Sequence, residues 1–130
     1  MSSPTVLVLD GELGFVFALS MELSKRHISV FPARTAREAR STITRFRLRP
    51  DTLVVNCSSP GACALAQDLA TQHKGIRVVA ITSARFQCKQ CADRIAASLR
   101  DSEDASPLGI PHCADIIEAL VKQSRQAGGS

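Results

Sequence analysis

Tryptophan and tyrosine are absent, and five phenylalanines make up the whole aromatic content. Unpaired bases stack on such rings, so single-stranded nucleic-acid binding is disfavoured. Long hydrophobic runs are also missing. The longest uncharged apolar stretch, Leu13 to Met21, falls far short of the roughly 20 apolar residues that a membrane helix needs. The opening Met-Ser-Ser-Pro-Thr has no basic segment followed by an apolar run, so no secretory signal is read and the expected location is the cytoplasm. The composition of a disordered chain is lacking too, since 45% hydrophobic and 22% charged residues are globular values. A length of 130 residues suits one domain that buries a core without metal or disulfide staples. Residues 1–126 are read as that domain, and 127–130 as a flexible tail or linker stub.

Charge is present but unevenly placed. Between Lys25 and Arg49 lie eight bases (Lys25, Arg26, Arg34, Arg37, Arg40, Arg45, Arg47, Arg49) against one acid, Glu38, a net +7. The whole chain carries +4, so the remainder sums to −3. A solvated helix face explains such a run, as does a surface for an acidic protein or for phosphates. Arg34, Arg37, Arg40, Arg45 and Arg47 are the candidate interaction surface. Twelve arginines against four lysines lean toward recognition, because guanidinium forks grip carboxylate and phosphate.

Five cysteines, Cys57, Cys63, Cys88, Cys91 and Cys113, are an odd number in a chain without an export signal, so a disulfide framework is not expected. Cys88-Lys-Gln-Cys91 has the C-x-x-C spacing, but a redox pair belongs at a helix start after a first strand. Here the motif comes late, inside a predicted helix. Zinc needs four ligands, and only His112-Cys113 offers another local pair. Small helix cysteines and a surface histidine are the preferred reading.

The hydrophobic pattern alternates between two periods. Val6–Leu9, Ile28–Ala33, Leu53–Val55 and Ile76–Ile81 are short, β-rich apolar runs that read as buried parallel strands. Between them, Leu13, Val16, Phe17, Leu19 and Leu23 recur at helical spacing up to about Lys25. Thr35-Ala-Arg-Glu38 is a capping box. It opens a helix carrying Ala36, Ala39, Ile43 and Phe46 on one face and ended by Pro50. A third helix is predicted over 62–73 with Gly75 as its cap, and a fourth over 86–99. Residues 101–104 read as an exposed loop, Pro107–Ile110 as a weak fifth strand, and 112–126 as the last helix. Five βα units imply an α/β fold, a parallel sheet with helices on both faces. Ligands of such sheets bind beyond the carboxyl ends of the strands. That directs attention to Asp10–Glu12, Asn56–Ser59, Thr82-Ser83 and Ile110-Pro111.

With these residues in place the chain resembles the receiver domain of response regulators, the chemotaxis-type phosphoacceptor module of two-component signalling. The resemblance runs from about Thr5 to Lys122. Val-Leu-Val-Leu-Asp10-Gly-Glu12 is similar to the family's first strand and acidic cluster. Pro50-Asp51, an apolar run, Asn56, three residues and Pro60-Gly61 follow the pattern around its phosphorylated aspartate. Thr35–Ala39, Ile76–Ser83 and Pro111–Leu120 resemble the second helix, the fourth strand with its hydroxyl, and the last turn and helix. The resemblance implies a three-layer, doubly wound (βα)5 flavodoxin-like fold with five parallel strands in the order 2-1-3-4-5. It also implies a non-enzymatic role in a bacterial phosphorelay.

The departures fall on the chemistry. Asn56 stands at the phosphoacceptor position, Gly11 at the second acid and Ile110 at the lysine. A carboxamide is a very poor nucleophile toward phosphorus. Mg²⁺ binds through carboxylates and phosphate. Asp10 and Glu12 form a residual acidic pocket, and Thr82 holds the switch-hydroxyl position. Asp10 is expected to hydrogen-bond locally, and Thr82 to be a fixed structural hydroxyl. Asn56 is either a donor to Asp10, imitating one signalling state, or a neutral filler. The leading expectation is a degenerate pseudo-receiver: a phosphorylation-independent protein-interaction module with no cofactor and a protein partner in a signalling pathway. A homodimer through the last two helices stays open, as does the state of the Ile110-Pro111 bond. The alternatives are an atypical receiver that binds Mg²⁺ and phosphoryl groups through Asp10, and nucleic-acid association through residues 25–49. A redox switch at Cys88 and Cys91 is a further one.

Overall fold

The computed structural model describes residues 4–56, 59–73, 75–82, 95–100 and 109–128. Of these, 81–82, 95–100 and 124–128 are described by their backbone alone. Five strands, β1 (Thr5–Leu9), β2 (Ser29–Ala33), β3 (Thr52–Asn56), β4 (Arg77–Thr82) and β5 (Ile95–Arg100), form one parallel sheet. Their order is β2-β1-β3-β4-β5, as the doubly wound reading expects. Four helices accompany them: α1 (Leu13–Lys25), α2 (Ala36–Phe46), α3 (Ala62–Gln72) and α4 (Ile110–Gly128).

The central strands are apolar along their whole length because both faces are covered. Val6, Val8, Val54 and Val79 point into a core closed by α1 and α4, with Leu19, Leu23, Ile117 and Val121. Leu7, Leu9, Leu53, Val55 and Val78 point to the other face, where Ala39, Leu65 and Leu69 of α2 and α3 cover them. At the amino ends of the strands Asp51 joins β1, β3 and β4. Its Oδ2 accepts the Thr5 N–H at 2.9 Å. Its own N–H donates to the Thr5 carbonyl at 2.8 Å, and its carbonyl accepts from Arg77 N–H at 3.1 Å.

Helix ends follow local chemistry. Thr35 Oγ1 accepts the Glu38 N–H at 3.1 Å, so the threonine caps α2 as its motif predicts. That helix stops not at Pro50 but at Arg47, which takes the left-handed conformation (φ 51°) and donates its N–H to the Ile43 carbonyl. The cap of α3 is His73 rather than Gly75. Arg26, just past α1, ties that helix to α4. Its guanidinium reaches Asp115 at 2.5 Å, Glu22 at 3.1 Å and Glu118 at 3.9 Å. The Asp115 hydrogen bond is the main reason its pKa lies above the usual arginine value, so it stays cationic throughout.

Three sequence expectations need correction. The fifth strand is Ile95–Arg100, not Pro107–Ile110, so the helix read over 86–99 does not reach Leu99. Residues 83–94, including the Cys88–Cys91 motif, and 101–108 lie outside the described residues. The last helix begins at Ile110 and runs to Gly128, taking in part of the supposed tail. Pro111 sits in its first turn, where a missing N–H costs no helical hydrogen bond, and no described peptide bond is cis. Finally, Cys63 is disulfide-bonded, to a partner outside the described residues. An odd cysteine count says nothing about which thiols a fold brings within bonding reach. Cys113, on α4, is not disulfide-bonded and is fully buried.

Two substitutions separate core from surface. Leu53→Ala, at a fully buried site, is expected to cost about 2–5 kcal/mol. Arg26→Ala should cost only about 1 kcal/mol, since its acidic partners are partly hydrated. Urea unfolding followed by circular dichroism measures both, and equal losses would mean that Arg26 carries more of the α1–α4 contact than its geometry implies.

Candidate functional site

Parallel pairing brings the sequence-selected residues to one edge of the sheet. Leu9 pairs with Val55, so the next residues, Asp10 and Asn56, stand side by side at the carboxyl ends of β1 and β3. Neighbouring strands are about 4.8 Å apart. Asn56 in turn pairs with Ile81, one residue before Thr82, and Thr82 pairs with Arg100 at the end of β5. From β1 outward the edge therefore reads Asp10, Asn56, Thr82, Arg100.

Asp10 is 2% exposed. Its N–H donates to the Ala33 carbonyl at 3.0 Å, which fixes the residue against β2. Its Oδ1 accepts the Glu12 N–H at 2.9 Å. This is an Asx-type turn that leads into α1, with the carboxylate at the positive end of the helix. Glu12 is the N-cap of α1 but makes no side-chain capping bond, and it is exposed. Gly11 is exposed, and a Cβ added there would meet nothing within 4 Å. Asn56 is half-buried, and its carbonyl accepts the Ser59 N–H at 3.0 Å, closing the turn that follows β3. A small cavity of about 130 Å³ opens beside Asp10, lined also by Leu13, Pro32, Arg34 and Glu38.

The structure separates other candidates. Ile110 is not at the end of the fifth strand. It is 5% exposed, in the first turn of α4, and packs in the core. The assignment of Ile110 to the lysine position goes with the misplaced strand. The residue at that end of β5 is Arg100, which the sequence reading missed. Its signal was the cation closing the short run Ile95–Leu99, hidden by the helix read through the same residues. His112 is exposed while its neighbour Cys113 is buried, so the two do not form a pair of ligands. Among the described residues no group of three or more His, Cys, Asp or Glu is placed to hold a metal ion.

The basic surface lies on and around α2. Arg34, Arg37, Arg45, Arg47 and Arg49 are exposed and make no ion pair among the described residues. Arg40 is the exception, bound to Asp68 of α3 at 2.7 Å. No described helix is long and apolar enough to cross a membrane.

No family model matches the chain, and no curated protein matches it by sequence. Solved structures do match in fold. The signal receiver domain of an HD domain-containing protein from Pseudomonas fluorescens Pf-5 superposes with a TM-score of 0.78 at 13% identity, covering 99% of this chain and 94% of that one. The receiver domain of a LuxO repressor protein from Vibrio parahaemolyticus gives 0.76 at 12% identity, with 98% and 96% covered. The response regulator TrrA from Thermotoga maritima, in complex with Mg²⁺–BeF, gives 0.71 at 16% identity, with 90% and 98% covered. The chain has the receiver fold, an α/β flavodoxin-like architecture.

The neighbourhood of Asp10 and Asn56 supports a direct test. Asn56→Asp would set a second carboxylate beside a buried one. At neutral pH the variant is expected to lose about 1–3 kcal/mol through like-charge repulsion. Acidification should shrink the loss by protonating one of the pair, and Mg²⁺ should shrink it by bridging them. Thermal unfolding at pH 7 and pH 4.5, with and without Mg²⁺, measures this. A variant as stable as the parent at pH 7 would mean that the two side chains do not face each other.

Proposed function

We propose that this chain is a receiver-type signalling domain whose phosphoryl chemistry has been retired. It acts as a phosphorylation-independent protein-interaction module in a two-component pathway. The observation that carries the reading is the residue pair at the carboxyl edge of the sheet. Within a receiver fold, β3 ends in the carboxamide of Asn56 beside the single buried carboxylate of Asp10. Forming an acyl phosphate needs a carboxylate oxygen to attack phosphorus, and Asn56 has none. The donor set does not fit a resident Mg²⁺ either. Asp10 engages the Glu12 amide with one oxygen, Gly11 has no donor, and the ion requires near-octahedral oxygen ligation that includes carboxylates.

With no chemistry at the edge, the signal is carried by surface. The exposed arginines 34, 37, 45 and 47 around α2 suit an acidic partner protein. The module acts in the cytoplasm, and duplex nucleic acid is not the preferred partner because no recognition motif accompanies the bases.

One observation favours the second reading, an atypical receiver. The backbone of Arg100 ends β5 two strands, about 10 Å, from that of Asn56. An anion drawn to that edge, with Asp10 nearby, would use it.

Acetyl phosphate with Mg²⁺, followed by intact mass, decides between them. The expected result is no mass increase, together with unchanged amide resonances for Asp10, Asn56 and Thr82 when Mg²⁺ and beryllofluoride are added. A Mg²⁺-dependent gain of one phosphoryl group on a native residue would overturn the proposal in favour of the second reading.

A further inference from the structure

No acid occurs between Glu38 and Asp51, and within that stretch Arg45-Phe46-Arg47-Leu48-Arg49 alternates cation with apolar residue at the end of α2. The three arginines are exposed and make no ion pair among the described residues. The start of the helix differs. Arg34 stands with Glu38 and Asp10 along the small cavity at the sheet edge. Midway, Arg40 is held by Asp68 at 2.7 Å. Positive charge open to a partner is therefore concentrated at Arg45, Arg47 and Arg49, with Arg37 about 12 Å further up the helix.

Two details mark this end as a surface in use. Arg47 takes the left-handed conformation, φ 51°, at a C-cap where glycine is favoured because it has no Cβ to clash. An arginine there destabilises the fold, and its side chain makes no hydrogen bond or ion pair among the described residues to offset the loss. Backbone strain without a compensating contact points to function. Phe46 is 56% exposed, yet its ring is held in place. It lies against Phe31 of β2, with centroids 5.8 Å apart and planes at 45°. Phe31 in turn packs on the core beneath α2. A ring fixed before binding loses little freedom on binding, and aromatic and arginine side chains dominate interface energies. The exposed apolar ridge of α1, formed by Leu13, Phe17 and Met21, has no charged residue among its members. Among the described residues Phe46 is the exposed apolar side chain that cations flank in sequence.

We infer that the occupant of this patch is an acidic segment of a partner protein, with an apolar side chain set among its carboxylates. The carboxylates meet Arg45, Arg47 and Arg49, whose guanidinium forks match planar anionic groups, and the apolar side chain covers Phe46. The same chemistry argues against a phosphate backbone. A nucleic-acid duplex offers charge but little apolar surface, and one ring is not the series of stacking platforms that a single strand follows. The patch has this role on the reading of the chain as a surface-acting module, which it narrows to one end of α2. The two fail separately: phosphorylation of a native residue overturns that reading, whereas peptide affinities test the patch.

Fluorescence anisotropy of labelled probes titrated with the full chain at low ionic strength supplies those affinities. One probe is a twelve-residue peptide of glutamate and aspartate with two central leucines. The second has serines in place of the leucines, and the third is a DNA duplex. The leucine peptide is expected to bind about tenfold more tightly than the serine peptide, and added salt should weaken both. Phe46→Ser should erase the difference between the peptides. Arg47→Gly separates binding from folding. Glycine suits the left-handed cap, so thermal stability should hold or rise while affinity for the leucine peptide falls about threefold or more. Arg34→Glu should change that affinity less than Arg47→Glu. Equal affinity for the two peptides, an Arg47→Gly chain that binds as the parent does, or tighter binding of the duplex overturns the proposal. So does self-association that Arg47→Glu abolishes, since a second copy would then fill the patch.

Discussion

The parallel register of β1 between β2 and β3 is the constraint on which the rest of the structure depends. It is fixed at one end by Asp51, whose carboxylate and backbone hold Thr5 while its carbonyl takes the Arg77 N–H. It is fixed along its length by burial, because Val6, Leu7, Val8 and Leu9 are all fully enclosed. A slip of one residue would send each of these side chains to the wrong face. Once the register is set, Asp10 has no choice of neighbour. It emerges beside Asn56, receives the Glu12 amide, and starts α1. The local geometry of the candidate site is thus a consequence of core packing.

The readable parts of the sequence were those where local pattern and global packing agree. β1, β3 and β4 are buried on both faces and are written as unbroken apolar runs, and α1 and α2 show the helical period beside them. β5 was not readable for a physical reason. It lies at the sheet edge, and Ile95, Ala96 and Leu99 fall at spacings that a helix face would also use. Pro111 compounded the error by looking like the turn after a strand, when proline is equally at home in a first helical turn. The site inherited the split. Asp10, Asn56 and Thr82 lie at or just past the ends of readable strands, whereas Ile110, read as the end of a fifth strand, opens α4. The disulfide at Cys63 was invisible for a different reason: pairing is a property of the folded arrangement, and counts do not encode it.

Charge is arranged around the same sheet in two distinct ways. Arg26 is engaged within the fold, pairing with Asp115, Glu22 and Glu118 and so bridging α1 and α4. The arginines around α2 are left facing water, with Arg40 alone drawn to Asp68. The apolar ridge of α1 and the cationic surface of α2 lie on opposite faces of the sheet, because α1 closes one core and α2 the other. The edge strand β2 separates them. They meet where Leu13 and Arg34 line the small cavity beside Asp10.

That separation bears on how a receiver fold without acyl-phosphate chemistry could still signal. A cluster of carboxylates at the strand ends stores repulsion that a cation or phosphoryl group relieves, and that stored energy is what lets such a pocket drive a change of shape. Among the described residues the edge holds one buried carboxylate satisfied by a backbone amide, a neutral carboxamide and a glycine. Little electrostatic strain remains to be released, so on the reading proposed above the fold has a single resting conformation. Regulation then has to come from what binds it. A ligand shifts a protein only as far as its affinities for different states differ. With one state, binding changes which molecules are brought together rather than their shape.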